Sequence, residues 1–169
     1  MKHVFFVECN PDRLLLQKIG VTKRSIIHAG SKSGVCKRLS KTTYSVGVVD
    51  EDPYSVQPGY LKGLKIIENS QKHDVKVLFD EKRNNRVIVI SPRLEEWIIK
   101  AAKEAKVNMH KYGLPEGGNK LHKLINSEVS RFERLLGELI NKSGRISFLR
   151  RCLLERGRDY ETWVWFSHV

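Results

Sequence analysis

Three carboxylates are spaced in this chain as a divalent-cation site requires. Glu8 closes the apolar run 3–7, and Asp50 and Asp52 follow the apolar run 44–49. Carboxylates gathered in one place repel, and protonation or a bound cation relieves that repulsion. An all-oxygen donor set suits Mg²⁺ or Mn²⁺ better than zinc. A hydrated Mg²⁺ can polarise a phosphodiester and stabilise its leaving oxygen. If the second run stays extended beyond its end, alternation turns Asp50 and Asp52 to one side and Glu51 to the other.

These carboxylates meet only if the runs before them lie side by side. Residues 3–7 read as a buried strand. A helix follows, with Asn10 as its cap, Pro11 in its first turn, Leu14, Leu15, Leu16 and Ile19 as its apolar face, and Gly20 as its stop. Residues 25–29 form a second strand, and the small-residue loop 30–34 leads into a helix carrying Val35, Cys36 and Leu39. Residues 44–49 are the third strand. Strand, helix, strand, helix, strand in this order predicts a parallel sheet, whose carboxyl edge is where open sheets place their sites.

The remaining chain is read more coarsely. Pro53, Pro58, Gly59 and Gly63 mark 53–63 as a loop over the carboxyl ends of the strands. Residues 75–79 and 86–90 are strand-like and flank the polar turn 80–85. Ser91 and Pro92 open a helix through Leu94, Trp97, Ile98, Ala101 and Ala102. Residues 112–118 mark a boundary, followed by helical periodicity from Leu121 to Leu139, a shorter helix over 146–154 and an aromatic stretch over 160–166. The expected architecture is an α/β domain over 1–105, a mainly parallel sheet flanked by helices, with a helical C-terminal extension over 106–169 packed on it.

Glu8-Cys9-Asn10-Pro11-Asp12, then Gly30, then Asp50-Glu51-Asp52 resembles the Toprim domain. That Rossmann-like fold is shared by topoisomerases, bacterial-type primases, recombination mediators and OLD-family nucleases. The resemblance covers roughly residues 3–55, and more weakly extends to about residue 105. It implies that Glu8, Asp50 and Asp52 are catalytic and hold Mg²⁺ (or Mn²⁺), with Glu8 also an acid or base. It implies a metal-dependent nuclease or phosphoryl-transfer hydrolase acting on nucleic acid. The alternatives are a non-catalytic nucleic-acid-binding module and a partner subunit beside an ATPase. Cys9 stands where the family usually has glycine.

Other residues have supporting roles in this reading. Gly30 and Lys32, in a loop before a helix, are candidate phosphate contacts. Arg83 and Arg86 are candidate nucleic-acid backbone contacts. Asp12 and Glu95 are supplementary acids, and Glu95 stands where a helix dipole alone favours a carboxylate. His28 precedes the loop of Gly30 and Lys32 and is a candidate to reach the same edge. His110, Lys111, Lys120, His122 and Lys123 surround the glycine-rich boundary as candidates to flank a strand channel, and Trp163, Trp165 and Phe166 are candidates to stack bases or cap the core.

The bulk composition agrees with an anionic partner. Across 169 residues, 31 Lys and Arg stand against 19 Asp and Glu, a net charge of +12 spread along the chain without a basic tail. No apolar run approaches the ~18–20 residues that span a bilayer, and Glu8 comes too early for a signal-peptide core. Three cysteines, Cys9, Cys36 and Cys152, lack zinc-like spacing and fit a reducing cytoplasm.

Overall fold

Strands buried on both faces read as continuous apolar runs, because alternate side chains enter opposite layers of core. The computed structural model, which describes residues 3–154, follows that rule. Its strands are β1 (Phe5–Val7), β2 (Ile26–His28), β3 (Val46–Asp50), β4 (Lys65–Ser70), β5 (Val75–Asp80) and β6 (Asn85–Ile90). They form one sheet in the order β2-β1-β3-β6-β5-β4. β2, β1, β3 and β6 are parallel, while β5 and β4 each run antiparallel to the strand before them in that order. The mixed sheet is flanked by helices, so the chain is α/β. The aromatic stretch 160–166 lies outside the described residues.

The helices are α1 (Asn10–Ile19), α2 (Lys32–Leu39), α3 (Gly59–Lys62), α4 (Leu94–Glu104), α5 (Gly118–Ser127), α6 (Val129–Leu139) and α7 (Gly144–Leu154). Phe5, Val7, Val46, Val48, Ile88 and Ile90 face one layer, shared with α1, α4, α5, α6 and α7. Phe6, Val49, Leu78, Val87 and Val89 face the other, with Val35 and Leu39 of α2. The α2 helix sits close because β3 offers Gly47 beneath it. A Cβ there would stand 2.7 Å from Leu39 Cδ1 and 2.8 Å from Val35 Cγ1. The helices over 118–154 close the first layer with Leu121, Ile125, Phe132, Leu136 and Leu149. Arg145 pins α7 through Asp74 and Glu104.

Several local expectations change. Cys9, not Asn10, caps α1, and Asn10 is the first helical residue. The loop 53–63 contains the single turn α3. The helical stretch from Leu121 breaks at Glu128 into α5 and α6. β4 was not visible in the sequence because Lys65-Ile66-Ile67-Glu68-Asn69-Ser70 lacks period-two alternation. It is a sheet edge with a bulge between Ile66 and Glu68. Among the described residues no helix is long and apolar enough to cross a membrane.

Candidate metal centre

The connection after β1 leads to β2 on one side, while the chain after β3 leads to the opposite side of the sheet. Adjacent parallel strands whose connections diverge leave a crevice at their carboxyl ends, the usual ligand position in open α/β sheets. Glu8 directly follows β1 and Asp50 ends β3, so both stand at this crevice. Register fixes the meeting, because Val7 lies opposite Val48. Glu8 Oε2 then accepts the Asp50 backbone N–H at 2.6 Å.

Two further acids join them. Asp12, in the first turn of α1, is only 3 % exposed. Its Oδ2 accepts both the Cys9 backbone N–H and the Cys9 thiol, each at 3.1 Å. Asp50 Oδ1 accepts the Leu94 N–H at 3.0 Å and so caps the start of α4. The next residue, Glu95, is buried, and its Oε1 lies 2.6 Å from Nδ1 of the half-exposed His122 on α5.

The electrostatics report the crowding. Burial pushes the Asp50 carboxyl up to about 9, with the charges of Asp12, Glu8 and Glu95 adding to the rise and the Leu94 N–H opposing it. Burial likewise raises Asp12 to about 7; the Cys9 hydrogen bonds oppose this, and Glu8 and Glu95 reinforce it. Glu8 is also raised by burial, against the Asp50 N–H and the Lys32 charge. Burial and the neighbouring Asp12 drive the Cys9 thiol far upward, which keeps it neutral. Burial and mutual repulsion therefore favour the protonated forms of Asp12 and Asp50 at this edge.

Asp52 departs from the expected alternation. β3 ends at Asp50, and Asp52 takes a left-handed φ of 41°. Its N–H donates to Pro92 O at 2.9 Å, after the Glu51 N–H has paired with Ile90 O at 2.8 Å. The Glu51 carboxylate accepts the Ser91 hydroxyl. Asp52 nonetheless remains close enough for its charge to act on Glu8. The chemistry of the donor set fits a hard cation. Among the described residues, however, no three His, Cys, Asp or Glu side chains are already gathered in ligating geometry. A closed protein cage is not what Mg²⁺ requires, since it usually takes one or two carboxylates and completes its shell with water and phosphate oxygens.

The basic candidates separate. Lys32 is buried beside the acids, and its Nζ donates to Glu51 O at 2.6 Å and to Gln57 Oε1 at 3.0 Å. Gly30, with φ of 85°, makes the bend between β2 and α2, and Ser31 Oγ caps that helix at the Gly34 N–H. His28 ends β2, exposed, at the same edge. Arg83 and Arg86 belong to the opposite end of the sheet. Arg86 pairs with Val46 at the start of β3, and Asp50 pairs with Ile90 at its end, about 13 Å away along the strand. Arg83 donates to Ser40 O and Asp80, and Arg86 to Cys152 O.

Two participants escaped the sequence reading. Gln57 gave no motif signal. His122 was visible only as one of several basic residues near a glycine-rich boundary, and its partner Glu95 lies 27 positions away. No protein-family model matches the chain, and no curated protein or solved structure matches it.

Proposed function

We propose that this chain is a Toprim-like protein that performs Mg²⁺-dependent phosphodiester cleavage on nucleic acid. The observation that carries the reading is that Glu8 accepts the Asp50 N–H at the switch point between β1 and β3, with Asp12 and Asp50 held nearby as reluctant acids and the charge of Asp12 adding to the rise of Asp50. Glu8 and Asp50 would hold the cation, with Asp52 at the rim. Glu95 is engaged by His122 and supports the edge from behind.

Bound there, Mg²⁺ supplies charge to a phosphodiester oxygen and to the leaving oxygen. The chain's own residues prepare that position. The Asp50 N–H orients the Glu8 carboxylate, the Leu94 N–H orients Asp50, and buried Lys32 offsets part of the acidic charge. With net charge +12, the rest of the surface draws a polyanion towards this acidic notch.

The test is cleavage of labelled single- and double-stranded DNA and RNA with Mg²⁺ or Mn²⁺, against EDTA. The double variant Asp50→Asn with Asp52→Asn is expected to lose turnover while keeping its fold by circular dichroism. Undiminished cleavage by the folded variant would overturn the assignment. Salt-sensitive binding without cleavage by the wild type would support a binding module instead.

A further inference from the structure

We propose that the turn at Pro53 and Tyr54, directly after the acidic edge, is a stacking platform for an unpaired nucleobase, which makes single-stranded nucleic acid the substrate class. This rests on the nucleic-acid part of the reading above. Tyr54 is 100 % exposed and Val56 94 % exposed. Exposed apolar side chains are ordinary when the backbone beneath them is loosely held. Here it is tied down on both sides of Tyr54, at Asp52 and at Ser55.

The Asp52 carbonyl accepts three hydrogen bonds, from Ser55 N at 3.0 Å, Ser55 Oγ at 2.8 Å and Gln57 Nε2 at 3.2 Å. Gln57 Nε2 is shared further with Glu51 O at 3.2 Å and Ser55 O at 3.1 Å. Its Oε1 receives the buried Lys32 ammonium, which also donates to Glu51 O. The left-handed backbone of Asp52 turns the chain out of the sheet, and Pro53 stiffens the corner at which Tyr54 stands. A side chain with two torsions on a fixed stalk loses little entropy on binding.

Position selects the occupant. The Tyr54 Cα lies two residues from Asp52, at most about 7 Å along the chain, so its ring reaches the nucleotide next to a phosphate held at the carboxylates. Pro53 and Ser55 flank Tyr54 along the chain, and one ring with one valine is far too small for a protein interface. An aromatic face beside a phosphate position on a protein of net charge +12 matches the way single strands are held, by stacking plus backbone electrostatics. In a duplex the base faces are already covered.

Fluorescence anisotropy of a dye-labelled oligo-dA and a labelled hairpin duplex, both with Ca²⁺ in place of Mg²⁺ so that the carboxylates are occupied while cleavage is suppressed, tests the assignment. Tyr54→Ala, at a site whose side chain contributes nothing to the core, is expected to weaken single-strand binding roughly 5- to 150-fold. Tyr54→Trp should preserve that affinity, and duplex affinity should not move. Unchanged single-strand binding by Tyr54→Ala, an equal loss on the duplex, or no oligonucleotide binding by the wild type would each overturn it. Tyr54-dependent binding by a protein that fails to cleave with Mg²⁺ would refute only the cleavage reading and leave the platform standing.

Discussion

Stripped of divalent cations, the protein should lose stability as the pH rises from about 6.5 to 8.5, the opposite of the usual behaviour of carboxylates. A group with a higher pKa in the folded than in the unfolded chain contributes fully below its unfolded value and fades as pH passes its folded one. Asp50, ordinarily near 3.8, is held at about 9. Through nearly all of this window the unfolded chain has released that proton and the folded protein keeps it. Stability then falls by about 1.4 kcal/mol per pH unit for each such group. Asp12, held at about 7, adds to the fall over the lower part of the window. The pair together accounts for a loss of about 3–4 kcal/mol. Carboxyls that the fold lowers, among them Asp74, Asp80, Glu96 and Glu104, titrate below the window, and His73, lowered from 6.5 by burial, adds a small opposing rise at its lower edge. Urea unfolding in EDTA at three pH values, followed by far-ultraviolet circular dichroism, measures the slope. Asp50→Asn should remove more than half of it. Mg²⁺ should restore more stability at the alkaline end, because the cation competes with the protons. Metal-free stability that stays flat or climbs across the window would refute the reasoning.

Two structural predictions accompany it. Arg145→Ala removes a guanidinium only 3 % exposed that joins Asp74 and Glu104 and lies over the Trp97 ring. Because both acids are partly exposed, the loss falls at about 2–3 kcal/mol, below that of a fully buried pair. Lys142→Ala, which breaks an exposed pair with Glu138, should shift the urea midpoint far less; equal urea midpoints for the two variants would contradict this. Gly34→Ala would place a Cβ 2.3 Å from the Ala29 carbonyl, so the loop before α2 must shift at about 1–3 kcal/mol. In Gly137→Ala the new methyl meets open space on α6, and stability should rise by about 0.5–1 kcal/mol. Urea midpoints moving in the same direction would show that the tight approach at Gly34 does not govern it.

The parts of the fold legible in the sequence were those set by local pattern. The strands before Glu8 and up to Asp50 are buried because Phe5-Phe6-Val7 and Val46-Gly47-Val48-Val49 carry no polar side chain and each ends at a charge, which puts both carboxylates at the carboxyl edge. Asp52 leaves the alternation because alternation holds only while the strand lasts, and β3 stops at Asp50. The pairing of the Asp52 N–H with Pro92 O, a contact across 40 positions, ends it. Lys32 reads as a phosphate ligand by its loop, but it is drawn inward by a carbonyl and an amide 19 and 25 residues away. The burial of Asp12 has a local signal, since it stands three residues after the cap of α1, where a carboxylate reaches back to the cap's N–H. The link between Glu95 and His122 depends on how α5 lies against α4, and periodicity says nothing of that.

Lys32 joins the two halves of the proposal. Its ammonium offsets part of the charge on Glu8 and, in the same position, fixes the Gln57 amide that holds the Tyr54 turn. Replacing Lys32 by methionine would leave a side chain of similar length without the charge. Glu8 would then hold its proton more tightly, and the turn would lose its tie to the edge. Single-strand affinity should fall in that variant while metal affinity rises, because a bound cation no longer faces a repelling ammonium, whereas Tyr54→Ala should weaken single-strand affinity alone. A surface basic residue that merely attracts phosphate would do neither, since its removal lowers binding to single and double strands alike and reduces the salt dependence. The behaviour of Lys32 therefore separates an acidic edge built to take a cation and a strand from a basic protein that happens to carry acids.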